Sequence, residues 1–273
     1  MSTQFRWLKR TDYPRVLEIV HDIWEGDDYV PQVFNKWIQE IGSYVRGLFV
    51  DNELVGFSRL KILSDKIGWL QGLRVDPREQ GKGYGKEIAR RMVDHCFSLG
   101  LKELWFSTYF DNKSSISIHE RLGFTRIGVF TNLYKSVQSP GVVSSSERFR
   151  INSLPGRLSG GFWNSWAYYP EGIDSPWQYL PEGLTLTDSK GGDRLILARS
   201  IEFGSSLEIC TVDSRTDSIS ADLILFAERL CYNRGHDSLH VMIPQGTSSR
   251  VFLENGFAFF EKEDDVYLYW LAR

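Results

Sequence analysis

The sequence predicts an α/β fold, and three observations carry that prediction. Apolar residues recur at every second position in some runs and at every third or fourth in others, and the two kinds of run alternate along the chain. A strand-like run ending at Val75 leads through a glycine-rich turn directly into a strongly periodic helix. Segments near the end of the first half also recur near the end of the second.

Gln4 to Lys9 alternates like a short strand, and Thr11-Asp12 offers a helix cap before Val16, Leu17, Val20 and Ile23. After the acidic stretch WEGDDYVP, Pro31 can open a second helix with Phe34, Trp37, Ile38 and Ile41 on one side, closed by Gly42. Tyr44 to Val50, Leu54 to Ile62 and Gly68 to Val75 read as strands, with Asp51-Asn52 as a hairpin turn. Ile88, Ala89, Met92, Cys96 and Leu99 define a helix from Tyr84, ended by Gly100. A strand at Glu103 to Tyr109, a helix from Asn112 to Leu122 ended by Gly123, and two strand-like stretches to about Ser136 follow.

The chain has 273 residues, enough for two domains of ordinary size. We place one over residues 1–137, a Ser-, Gly- and Arg-rich linker or irregular arm over 138–161, and a second domain over 162–273. The cluster FWNSWAYYPEGIDSPWQYLPEG lacks periodicity and predicts packed irregular structure. RLCYNRGHDSLHVMI answers RMVDHCFSLGLKELWFS, and RVFLENGFAFFEKEDDVYLYWL answers SIHERLGFTRIGVFTNLYKSV, so the two domains read as copies of one unit.

A net charge of −3 predicts no chain-wide attraction to nucleic acid or to a membrane surface. No apolar run approaches the roughly 18 residues of a membrane span, and the expectation is a cytoplasmic protein. Cys96, Cys210 and Cys231 have no CxxC spacing, which predicts buried free thiols and no metal site. Monomer and homodimer both stay open.

The segment LRVDPREQGKGYGKEIARR carries the chemistry. A glycine-rich turn at a helix N-terminus exposes backbone N–H groups and the positive end of the helix dipole, which together hold an anion. Gly81, Gly83 and Gly85 let the backbone approach a ligand without a Cβ in the way. Arg74, Arg78, Lys82, Lys86, Arg90 and Arg91 stand against Asp76, Glu79 and Glu87, a local basic excess in an acidic chain. Neither GxxxxGK[ST] nor GxGxxG is present in this turn.

Gln80-Gly81-Lys82-Gly83-Tyr84-Gly85 after Val75-Asp76-Pro77, with Asn112, Ser115 and HERLGF further on, resembles the GNAT acetyltransferases over Thr3 to about Ser136. The resemblance implies a mixed, mostly antiparallel twisted sheet flanked by helices, here in tandem with a degenerate second copy. It implies acetyl-CoA as co-substrate, with the pantetheine arm along Leu73, Arg74 and Val75, and the pyrophosphate on Gln80, Gly81, Lys82, Gly83, Tyr84, Gly85 and Lys86. Asn112 and Ser115 would approach from the other side, and a backbone N–H near Leu73 would hold the oxyanion. The implied reaction is direct attack by a bound primary amine of a small molecule, an amino acid or a compound like one. A peptide or protein acceptor and a non-catalytic acyl-CoA sensor are the alternatives.

Relatives often have a Tyr proton donor where this chain has His119, and a base Glu where it has Gln71. His119 is the candidate acid, because imidazole donates a proton near neutral pH. Glu25 and Asp28, in the acidic stretch from His21 to Tyr29, are the candidates for holding a cation or relaying a proton. Deprotonating an alkylammonium at pH 7 costs roughly 4 to 5 kcal/mol against about 1 for an α-amine, so Gln71 favours an α-amine. In the second copy Arg215, Ser218 and Ser220 replace Gln80, Gly83 and Gly85, Phe252 replaces His119 and Gln245 replaces Asn112, which predicts a domain without the activity.

Overall fold

The computed structural model describes residues 2–141, 149–155, 158, 160–188, 192–214 and 219–273. They divide into two compact units, one running to Thr125 and including Tyr269–Arg273, the other spanning Arg126–Leu268. The division therefore differs from the expected boundary at residue 137. Chain continuity suggests a cut in the Ser-rich arm, whereas strand pairing assigns the last residues to the first unit.

In the first unit β1 (Thr3–Trp7) leads to α1 (Tyr13–Val20) and α2 (Val30–Trp37), then to β2 (Ser43–Val50), β3 (Glu53–Ile62) and β4 (Ile67–Val75). After α3 (Tyr84–Ser98) come β5 (Glu103–Tyr109) and α4 (Lys113–Arg121). Asp51 and Asn52 have φ of 49° and 71°, the left-handed pair that a tight hairpin between twisted strands requires. The sheet order is β1-β2-β3-β4-β5, antiparallel until the parallel pair β4 and β5.

Val16, Ile19, Val33, Phe34 and Trp37 of α1 and α2 bury one face of this sheet against Val45 and Phe57. Ile88 of α3 covers the other face over Leu48 and Val55. The amphipathic spacing of these helices placed the residues correctly except at Ile41 and at Leu99, which follows α3 and is exposed. Helix α2 ends at Trp37 and Ile41 is fully exposed.

The second unit holds most of β6 (Thr125–Ser136), then β7 (Phe149–Asn152), β8 (Phe162–Asn164), β9 (Ala167–Tyr169), β10 (Leu184–Asp188), β11 (Asp193–Arg199) and β12 (Ser206–Ser214). Next come α5 (Ala221–Asn233), β13 (Ser238–Pro244), α6 (Arg250–Glu254), β14 (Ala258–Phe259) and β15 (Val266–Ala272), whose last four residues lie in the first unit. One 12-residue strand, β6, replaces the two expected stretches before Ser136. The described part of the predicted arm contains β7, which pairs with β10. The aromatic cluster forms the β8–β9 hairpin, with Phe162 stacked on Tyr169 and Tyr169 on Tyr179.

The internal repeat is visible in the backbone. Gly100 and Gly235 end α3 and α5 with φ of 90° and 75°, and Gly123 and Gly256 follow α4 and α6 with φ of 95° and 82°. The β12 and β13 strands form a parallel pair, as β4 and β5 do. Arg215 and Ser218, matched to the glycine turn, lie outside the described residues, and Ser220 is the residue before α5. All three cysteines are buried and free, and burial pushes the Cys96 thiol up to about 12.

Candidate active site

Parallel pairing between β4 and β5 covers Ile67–Glu103, Gly68–Leu104 and Trp69–Trp105. Beyond it β4 continues to Val75 and β5 to Tyr109. The cause is a bulge: Phe57 faces Arg74 and Arg59 faces Gln71, so Gly72 and Leu73 together oppose Ser58. A bulge adds local twist and turns a strand aside. Gly72 fits because its φ is 67° and a Cβ there would come within 3.0 Å of the Trp37 ring. From Leu70 to Val75 the edge of β4 is thus left without pairing to β5.

At the end of that wall Asp76 caps the short turn Pro77–Glu79, accepting a hydrogen bond from the Arg78 N–H at 2.9 Å. Buried Asp76 also pairs with Arg15 of α1 and, at 2.8 Å, with the Arg78 guanidinium. Those bonds, from Arg78 and then Arg15, hold its carboxyl well below the usual carboxylate range. Gln80 is extended, and Gly81 and Gly83 take φ of 78° and 84°, leading into α3. The Gln80 amide donates to Pro77 O at 3.4 Å, and the next amide with a backbone acceptor is that of Glu87, donating to Gly83 O at 3.1 Å. Among the described residues those from Gly81 to Lys86 have none, which is the donor array an anion needs. A Cβ on Gly81 or Gly83 would meet nothing within 4 Å, so the protein leaves the Cβ side of both glycines open.

Residues 4–124 match the Acetyltransferase (GNAT) family. They belong to the GNAT family. Among similar proteins, the N-alpha-acetyltransferase RimI of Mycobacterium tuberculosis is 26% identical over 47% of this chain and 82% of its own length. The spermine/spermidine N(1)-acetyltransferase of Bacillus subtilis is 31% identical over 29% of this chain, a stretch spanning 57% of that protein. A GCN5-related N-acetyltransferase from Sphaerobacter thermophilus shares the fold over 99% of this chain and 95% of its own, at 13% identity and a TM-score of 0.65.

In the GNAT domain Asn112 is the N-cap of α4, its side chain accepting from the Ser115 N–H at 3.2 Å. His119, one turn on, is buried between Phe106 (ring centroids 4.1 Å apart) and Phe124 (5.3 Å). Its Nδ1 lies 2.8 Å from the Ser115 carbonyl oxygen, which can only accept. Burial pushes the imidazole down to about 4. The ring is neutral at pH 7, with the proton on Nδ1 committed to the backbone and Nε2 carrying a lone pair. This corrects the expectation of a ready proton donor, which assumed a solvated imidazole.

Asp28 also differs from expectation. Its Oδ1 accepts from the Val30 N–H at 2.8 Å and its Oδ2 lies 2.6 Å from Arg74 Nε. Both oxygens of this buried carboxylate are engaged, which suits a structural anion rather than a base. Glu25 is exposed and, with His21, Asp22, Leu17, Val20, Gly26 and Pro31, lines a cavity of about 670 Å³. No residue of β4 or β5 lines this cavity. Among the described residues no group of His, Cys, Asp or Glu is placed to hold a metal ion.

The basic excess near the turn is largely engaged. Arg78 pairs with Asp76, Lys82 with Glu79, Arg90 with Glu87 and Asp94, and Arg91 with Glu87. Lys86 stands exposed on the first turn of α3. The role of Asp76 in anchoring the turn was missed in the sequence. Its signal was the cap position before Pro77, but the partner Arg15 is 61 residues away.

Proposed function

We propose that the chain transfers the acetyl group of acetyl-CoA to the primary amine of a small molecule, an amino acid or a compound like one. The observation that carries this reading is the continuity of the open β4 edge with the unpaired amides of the glycine turn. One is suited to an extended amide-bearing arm and the other to a diphosphate. Leu73, Arg74 and Val75 would bind the pantetheine arm; Gln80 to Gly85 and Lys86 would bind the diphosphate, with Asn112 and Ser115 opposite. When bound, the thioester supplies the activated acetyl group.

A backbone N–H near Leu73 would donate to the carbonyl oxygen as the amine nitrogen attacks. The C–N bond forms, the C–S bond breaks with its electron pair leaving on the CoA sulfur as the thiolate, and the amine proton passes to solvent. A neutral His119 and a Gln at position 71 leave no strong acid or base on this path. That favours an acceptor already partly deprotonated, an α-amine over an alkylamine. Glu25 and Asp22 in the cavity would attract its positive charge. An N-terminal peptide amine is the second reading, favoured by the same argument and by the N-alpha-acetyltransferase among the similar proteins.

The second unit is proposed to keep the fold without the cofactor site. The Ser220 N–H at the head of α5 donates to the Asp193 carboxylate at 2.7 Å, so an internal anion already serves that helix terminus. The deciding experiment is release of free CoA from acetyl-CoA across amino acids, polyamines, aminoglycosides and peptides. Binding of acetyl-CoA with no turnover on any amine would favour a sensor and overturn the enzymatic reading.

A further inference from the structure

Arg74 joins two parts of the GNAT domain that are far apart in sequence. Its backbone lies in the open β4 edge beside the Gly72–Leu73 bulge, and its guanidinium crosses to the turn between α1 and α2. There Nε meets Asp28 Oδ2 at 2.6 Å, and Nη1 donates back to Leu73 O at 3.1 Å. The guanidinium carbon sits 4.4 Å above the Trp24 ring and 5.6 Å from that of Tyr29. Trp24 stacks on Tyr29 at 6.3 Å, and Tyr29 meets Trp37 edge-on at 5.8 Å. Trp37 is the ring that packs on Gly72. The contacts close a circuit from the bulge through the turn and back to the bulge.

The turn needs such a hold. Trp24 and Glu25 have φ of 51° and 58°, a left-handed pair without glycine, which persists only when surrounding contacts impose it. Asp28 fixes the far end by accepting a hydrogen bond from the N–H of Val30, the first residue of α2. Glu25 and Asp22 of the cavity sit on this same turn.

We infer that Arg74 and Asp28 form a latch that positions the acidic turn relative to the β4 edge, coupling the acceptor's binding to the cofactor's. The inference rests on the acetyltransferase reading for what the two sides bind. Arg74 is then a positioning residue through its side chain, and Asp28 is its anchor, not a proton carrier. Removing either partner frees the turn and leaves the backbone donors of β4 and of the glycine turn in place. Acceptor recognition suffers while the cofactor's intrinsic affinity is kept.

The test uses the full chain with Arg74→Lys, Arg74→Gln, Asp28→Asn and the double variant Arg74→Gln/Asp28→Asn. Three quantities are measured: KM for an amine the wild type acetylates, Kd for acetyl-CoA from intrinsic fluorescence, and amide hydrogen exchange over residues 22–30. In Arg74→Gln and Asp28→Asn the amine KM should rise about 10-fold or more, and in Asp28→Asn, which leaves β4 untouched, acetyl-CoA Kd should stay within about 3-fold. Exchange over 22–30 should speed up, and the double variant should be no worse than the singles, because one interaction is lost in each. Arg74→Lys should recover part of the KM. The latch is overturned if exchange over 22–30 stays at the wild-type rate in both single variants, or if acetyl-CoA Kd in Asp28→Asn rises as much as its amine KM. If wild type turns over no amine, it is the acetyltransferase reading that fails, and the exchange measurement still decides the latch.

Discussion

His119 Nδ1 lies 2.8 Å from the carbonyl oxygen of Ser115, and the ring is wedged against Phe124 in the way Phe252 is wedged against Phe257 in the second unit. In both, the amide of the second aromatic donates to the carbonyl of the first at 3.1 Å. The position is a packing site that the first unit fills with an imidazole.

A pH dependence follows. Unfolded, the ring titrates near 6.5, and folded at about 4, so between those values the unfolded state binds the extra proton. The contribution is fully present above pH 6.5 and is lost as pH falls towards 4. Between pH 7 and 5 the wild type should lose about 2 kcal/mol more stability than His119→Phe, measured by urea unfolding. Acetyl transfer in that variant should stay within about 10-fold of wild type, whereas loss of a general acid would cost about 100-fold or more. Equal pH slopes in the two proteins would refute the buried neutral ring.

Gly83 and Gly100 offer a matched comparison at the two ends of α3. Both have left-handed φ, 84° and 90°, and a Cβ on either meets nothing within 4 Å. Alanine at each should cost about 1 kcal/mol of stability for the same backbone reason. Only Gly83→Ala, and more strongly Gly83→Val, should weaken acetyl-CoA binding, by about 10-fold or more, because the added carbons stand before the free amides. Equal affinity in the Gly83 and Gly100 variants, by calorimetry, would remove the turn from the cofactor site.

Asp76 should be a stability residue with a functional consequence. Asp76→Asn leaves Arg15 with only the exposed carboxylates of Glu18 and Glu53 as partners. The cost should be about 3 kcal/mol, read from chemical unfolding at pH 7. The wild-type carboxyl is depressed on folding, so its contribution is present above about pH 4 and lost as pH falls through its lower folded value. An Asp76→Asn protein with unchanged stability would contradict that account.

Glu25 is exposed in the acidic cavity and takes no part in the Arg74 latch. Glu25→Gln should raise KM for a cationic amine about 5-fold, the value of one exposed charge pair, with kcat little changed. A large fall in kcat at constant KM would instead make Glu25 the base.

Much of the GNAT domain was legible because its signals are local. Alternation and helical spacing located β2 to β5, α3 and α4; Asp51-Asn52 marked the hairpin; Gly81, Gly83 and the glycines of the helix ends marked left-handed backbone, whereas Gly85 lies within α3. The bulge at Gly72 left no such mark, since one glycine in a strand does not say what lies above it, and the ring above is Trp37.

By itself the sequence determined the order of strands and helices from β1 to α4 and the glycine-rich turn at the head of α3, both properties of neighbouring residues or of periodicity. Only the tertiary structure decided the state of the charged groups. Burial between Phe106 and Phe124 lowers the proton affinity of His119, and Arg74, 46 residues away, engages the carboxylate of Asp28. Solvation and charge pairing depend on which distant chain segments meet, and that is fixed by packing.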